Sequence, residues 1–189
     1  GVRDHAVAKI DLNDNIVVNR ATFGGWKIDA CPHHGPAISR GGDWGYHMAW
    51  FDGGDKAGLF YGRIDGDAWV SSPAKRFGNA NFQAGHPSLL SINEKVYLAW
   101  KEINDSDNYI VLAISEDGGK TIKSGYRAGG DNHDIWIDPE DGNRIMVAHD
   151  GCASITNDGK TFKRVVLPIA QMYHAHVDDQ IPYNVYGNR

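Results

Sequence analysis

Ser115-Glu116-Asp117-Gly118-Gly119-Lys120-Thr121-Ile122 decides the fold of this chain, and a shortened copy returns at Thr156-Asn157-Asp158-Gly159-Lys160-Thr161-Phe162. Each residue type has a use in a tight turn between strands. Asp caps nearby main-chain amides, Gly takes a positive φ, and the hydroxyls close the loop. An apolar run precedes each copy, Ile110-Val111-Leu112-Ala113-Ile114 and Ile145-Met146-Val147-Ala148. The turns therefore join strands. The second copy is one residue shorter, so its closure is expected to differ.

Working outward, the segments around the first turn repeat. Gly35-Pro36-Ala37-Ile38-Ser39, Tyr46 to Trp50 and Gly58 to Arg63 correspond to His86-Pro87-Ser88-Leu89-Leu90, Val96 to Trp100 and Tyr109 to Ile114. Pro36 to Pro87 is 51 positions, Trp50 to Trp100 is 50, and Asp65 to Asp117 is 52. Such an offset matches a propeller blade of about four strands. Asp65-Gly66-Asp67-Ala68-Trp69 then reads as a degenerate copy of the turn. A third unit runs from His133-Asp134-Ile135-Trp136-Ile137-Asp138 through the Asp158 turn to Val165-Val166-Leu167. A fourth starts at Met172 to Val177 and continues to Tyr183-Asn184-Val185-Tyr186, and Ala6 to Val18 supplies extra strands. The expectation is an all-β propeller, small, incomplete or fragmentary, of about four blades, formed by residues 1–189 as one domain.

The 189 residues hold 23 glycines, many in pairs such as Gly41-Gly42 and Gly53-Gly54, which suits short strands joined by turns. A net charge of -5 without a basic run argues against nucleic acid or an anionic membrane as partner. No apolar stretch approaches the length of a membrane span, and Gly1 to Arg20 lacks the apolar core of a signal segment. Because the chain starts at Gly, an upstream part is expected to have been removed. Cys31 and Cys152 are too few for a disulfide framework; buried reduced thiols are their ordinary reading, and spacing leaves pairing open.

The pattern Ser-x-Asp-x-Gly-x-Thr resembles the Asp-box, or BNR repeat, of sialidases and related β-propellers, with Ile122 and Phe162 in place of the usual Trp. Residues from about 26 to 122, with Trp26-Lys27-Ile28-Asp29-Ala30-Cys31-Pro32-His33-His34-Gly35-Pro36-Ala37, resemble bacterial exo-sialidase-like proteins. Residues from about 129 to 189, with His133-Asp134-Ile135-Trp136, Asn143-Arg144, His149-Asp150-Gly151 and Pro182-Tyr183-Asn184-Val185-Tyr186-Gly187, resemble the sortilin and xyloglucanase branch. A join between the two is expected near 123–128, as a chimera or an omitted stretch. The resemblance implies a glycan or glycoconjugate as ligand, bound or hydrolysed at the central face, no cofactor, and a secreted or periplasmic home. The sortilin-like half implies the alternative, a protein-binding scaffold without catalysis. A ring short of blades would be completed by a homo-oligomer or by further chain.

Sialidases clamp a carboxylate with three arginines and use a Tyr/Glu nucleophile with an Asp acid and base. No arginine here stands in the Arg-Ile-Pro context that opens that site, so the catalytic set does not transfer residue by residue. Surface or structural roles are the ordinary reading for the nine arginines. Glycoside hydrolysis needs two carboxylates flanking a cleft. Asp29, Asp134, Asp150 and Asp178 fall at blade edges, and Asp134 and Asp150 stand out because each is beside a histidine in Asn132-His133-Asp134 and His149-Asp150-Gly151, although turn caps are the commoner use of such carboxylates. Asp117 and Asp158 are structural. His133 and Arg40 are taken as substrate contacts, together with Trp44, whose turn setting Gly41-Gly42-Asp43-Trp44-Gly45 offers a ring for stacking on a sugar. His33-His34 and His174-Ala175-His176 raise a metal question, but no Cys or acidic ligand falls at a diagnostic spacing and no metal is expected.

Overall fold

The computed structural model describes residues 1–29, 34–65, 73–105, 108–129, 132–165, 172, 174–178 and 184–188. Among the described residues there are sixteen strands and no α-helix. β1 (Ala6–Ile10) and β2 (Ile16–Arg20) form a hairpin. β3 (Ala37–Arg40), β4 (Gly45–Asp52), β5 (Gly58–Asp65) and β6 (Lys75–Phe77) form the first four-stranded sheet. β7 (Gln83–Ile92), β8 (Lys95–Ile103), β9 (Asn108–Ser115) and β10 (Lys123–Gly129) form the second. β11 (Asn132–Ile137), β12 (Ile145–His149), β13 (Cys152–Thr156) and β14 (Lys163–Val165) form the third, and β15 (His174–Val177) pairs with β16 (Val185–Asn188). Every pairing is antiparallel between chain neighbours, so each sheet is a meander.

The second strand of each full sheet is apolar on both faces because both faces are covered. In β8, Val96, Leu98 and Trp100 pack with Ala49, Leu59 and Tyr61 of the first sheet, while Tyr97 and Ala99 pack with Ile145 and Val147 of the third. Trp50 and Trp100 hold equivalent blade positions: Trp50 joins Met48, Ile64 and Val7, one layer earlier in the series. Beyond the third sheet, Met146, Ala148 and Ala153 meet Met172, Ala175 and Val177. Sheets that follow one another face to face, each covering its neighbour, are propeller blades. The region 123–128, where two resemblances meet, lies in β10, which pairs with β9 around one bulge at Ser124/Tyr126. The β1–β2 hairpin departs from this covered plan, leaving Ile10, Leu12, Ile16, Val17 and Val18 exposed.

Both glycine turns close, by different bonds. The Ser115 hydroxyl donates to Asp117 Oδ1 (2.8 Å), Gly119 N donates to Ser115 Oγ (2.8 Å), and Thr121 N donates to Asp117 Oδ1 (2.7 Å). In the shorter copy Thr156 Oγ1 donates to Asp158 Oδ1 (2.8 Å), which also accepts from Lys160 N and Thr161 N. One missing residue moves the closing N–H from the fourth position after Asp to the third. Gly118 and Gly159 take the same φ of 67°, and each donates its N–H to the turn between the first two strands of its own sheet, at Glu94 O and Asn143 O. Ile122 and Phe162, where the motif has Trp, both pack between sheets. The degenerate copy at Asp65 to Trp69 falls largely outside the described residues, as does Cys31; Cys152 is a free, buried thiol. Among the described residues no helix is long and apolar enough to cross a membrane.

Candidate functional site

Strand register sorts the candidate residues onto two ends of the sheets. At the upper end β3, β7 and β11 begin, and the turns after β4, β8 and β12 lie beside them (Asp52↔Gly58, Ile103↔Asn108, His149↔Cys152). At the lower end sit the turns after β3, β7 and β11 and the two glycine turns (Gly45↔Asp65, Val96↔Ser115, Ile145↔Thr156). The ends stay matched between sheets, because Ser39 and Ser91 share a hydroxyl contact of 3.2 Å below while the His34 and His86 rings meet, tilted, at 4.7 Å above.

His133, Asp134 and Asp150 belong to the upper end. His133 Nε2 and Asp150 Oδ1 are 2.8 Å apart, and Asp150 is exposed. The turn carrying Asp150 is fixed by its neighbour: Gly151 N donates to His149 Nδ1 (3.0 Å), and the other ring nitrogen meets Ser154 Oγ (3.0 Å). Accepting through Nδ1 keeps His149 neutral, and burial, then the nearby Arg164, lowers its pKa. Asp134 plays a tighter role. Its Oδ1 accepts from Ile135 N (2.9 Å), its Oδ2 accepts from Ala175 N (3.2 Å), and His174 Nδ1 lies 3.6 Å from the same oxygen. This carboxylate ties the start of β11 to β15.

A cavity of about 290 Å³ opens beside these residues, with His86, Trp100, Lys101, Asn132, His133 and Asp134 in its wall. Asp150 is not part of that wall. A larger cavity, about 1050 Å³, opens at the upper end between the first and second sheets and includes Trp26, His34, Phe51, Phe82, His86 and Asn104. His86 belongs to both walls. Sequence reasoning used His86-Pro87 only to set the repeat. The signal was present, since aligning the blades puts His86 at the strand start where His133 stands in the next unit.

Trp44 and Arg40 lie at the lower end, so the five candidates do not form one cluster. An eight-residue strand such as β4 at about 3.3 Å per residue separates the ends by about 25 Å. Trp44 closes a 3₁₀ turn, Gly42–Trp44; the Arg63 guanidinium covers its ring at 3.6 Å from the centroid, and His47 meets the ring edge-on at 4.8 Å. Its indole also fills the space that a side chain at Gly41 would need. Arg40 is exposed, and its carbonyl accepts the Ser91 hydroxyl. Other arginines are committed locally: Arg20 to Asp4, Arg76 to Ala57 O, Arg144 to Asp138 and Asp141, Arg164 to Gly151 O. Among the described residues no group of three or more His, Cys, Asp or Glu is placed to hold a metal ion; His33 lies outside those residues.

Stacked meander sheets with solvent-open His and Asp side chains at one end define a β-propeller with a candidate site on one of its faces. The solved structure of the Hadza microbial sialidase Hz136 is similar, with a TM-score of 0.61 at 17% identity, covering 86% of this chain. The fold is thus a sialidase-like β-propeller, and the chain spans 40% of that protein's length. No family model and no curated protein matches the sequence.

Proposed function

We propose that this chain is a sialidase-like Asp-box propeller that binds glycans at the upper ends of its sheets. The observation that carries the reading is the His133–Asp150 pair, at 2.8 Å, with Asp150 exposed on a turn that His149 holds in place. A carboxylate that already accepts one imidazole keeps further lone pairs for sugar hydroxyls. Proximity to a cavity walled by Trp100, Lys101 and Asn132 supports the same assignment. A ligand held there does not reach Trp44 or Arg40, which would serve a separate contact.

Hydrolysis by Asp134 and Asp150 is the finer form of this proposal, and the commitments of Asp134 to two main-chain N–H groups favour binding without turnover. A non-catalytic scaffold, the second reading, draws on the same observation and on the local pairing of Arg20, Arg76, Arg144 and Arg164. A glycan array followed by titration calorimetry tests the binding. Asp150→Asn and His133→Ala are expected to weaken the best ligand by ten-fold or more, and a protein silent on the whole array overturns the proposal. Fluorogenic sialosides and β-glucosides test turnover directly; release that Asp150→Asn abolishes would establish the enzyme.

A further inference from the structure

His86 carries a backbone oddity at the point where the two upper cavities meet. Its φ is +51°, in the left-handed region that a residue with a Cβ seldom adopts, and it lies in a break of the β7–β8 register between Gly85 and Ser88. A bulge of this kind re-aims a side chain relative to the regular pleat. Here the exposed imidazole stands in the wall of the 290 Å³ cavity beside His133 and Asp134, and equally in the wall of the 1050 Å³ cavity beside Phe82 and Asn104. The His34 ring meets it at a tilt and contacts Phe51 in turn at 4.4 Å. Held strain at a residue shared by two cavities points to use.

We infer that the two cavities form one track across the upper end of β7, with His86 at its saddle, and that the ligand is a neutral oligosaccharide of several rings rather than a single sugar. The inference rests on the glycan reading above and adds the ligand's length and charge class. The larger cavity offers rings (Trp26, Phe51, Phe82) and amides (Asn81, Gln83, Asn104), the two kinds of group that meet the C–H faces and hydroxyls of pyranoses. Its charges are of mixed sign, Lys27 and Arg76 against Asp105, and the Arg76 guanidinium already donates to Ala57 O at 2.7 and 3.2 Å. That set lacks the cation cluster an acidic chain would need.

Calorimetry with length-matched neutral pairs, lactose against lacto-N-tetraose and cellobiose against cellotetraose, is the test. In at least one pair the tetrasaccharide should bind ten-fold or more tightly than the disaccharide. His86→Gly and Phe82→Ala should each erase that preference. Glycine accepts φ +51°, so His86→Gly should keep the wild-type thermal midpoint or raise it, which separates lost contact from lost fold. Equal affinity for both lengths, or a length preference that survives His86→Gly, overturns the track. Length-independent binding abolished by Asp150→Asn, or no binding in any neutral pair by a protein that binds other glycans on the array, would overturn the track and leave the glycan reading standing, whereas silence on the whole array would overturn both.

Discussion

At the lower end of the sheets Asp117 accepts the Thr121 N–H and the Ser115 hydroxyl, and Asp158 accepts two main-chain N–H groups and the Thr156 hydroxyl. At the upper end Asp150, exposed like Asp158, meets an imidazole and closes no turn of its own. The same residue type is structural where main-chain donors converge on it and available where they do not. The donors also act on titration. The Thr121 N–H foremost, then Ser115, lowers the Asp117 pKa to about 2, and the N–H of Thr161 foremost holds Asp158 below the ordinary range.

The hardest strike at the lower end is Gly119→Ala. Gly119 has φ +83°, and an added Cβ would fall on the Tyr61 hydroxyl, which His47 Nδ1 holds at 2.6 Å. A loss of about 2 kcal/mol or more is expected, read from urea midpoints. Ser115→Ala comes next: the buried hydroxyl serves both Asp117 and Gly119 N, and leaving those groups unmet should cost about 1–3 kcal/mol. A value near zero would mean that the turn closes without its hydroxyl, and the contrast between the ends would fail.

Acid should reach the lower end in two windows. Burial foremost, then Arg63, lowers the His47 pKa from 6.5 to about 4. Its folded form resists protonation, so stability should fall as pH drops from about 6.5 to 4 while the unfolded chain takes up the proton first. The depressed Asp117 pKa contributes stability above its ordinary value of 3.8, and that contribution should disappear between about 4 and 2. Urea midpoints from pH 7 to pH 2 should show both slopes, and His47→Gln should flatten the upper one. The smallest effect belongs to the upper end: Asp150→Asn should change stability by no more than about 0.5 kcal/mol while it weakens glycan binding. A large stability loss there would turn Asp150 into another turn cap and remove the basis for the proposed site.

Much of the lower end was legible beforehand, since turn chemistry is local. Ser115, Asp117, Gly119 and Thr121 carry their bonding partners within a few residues of one another. The shorter copy closed as well, through a donor one position earlier, which spacing alone did not reveal. The upper end was less legible. Asp134 and Asp150 looked alike beside their histidines, yet Asp134 joins β11 to β15 across 41 positions of sequence. Trp44 looked like a ring free for sugar until Arg63, a strand away, was found over it. His86 stands in the sequence pattern only as a marker of the repeat.

Sequence alone determined the blades: alternating strands, turns with glycine at the right places, and a repeat of about fifty residues, all of them consequences of short-range sterics and hydrogen bonding. Tertiary structure decided which candidates share an end of the sheets, because antiparallel register reverses direction at every turn and separates residues that lie only a few positions apart. It also decided which side chains other sheets had already engaged, since those partners come from segments that no local pattern connects.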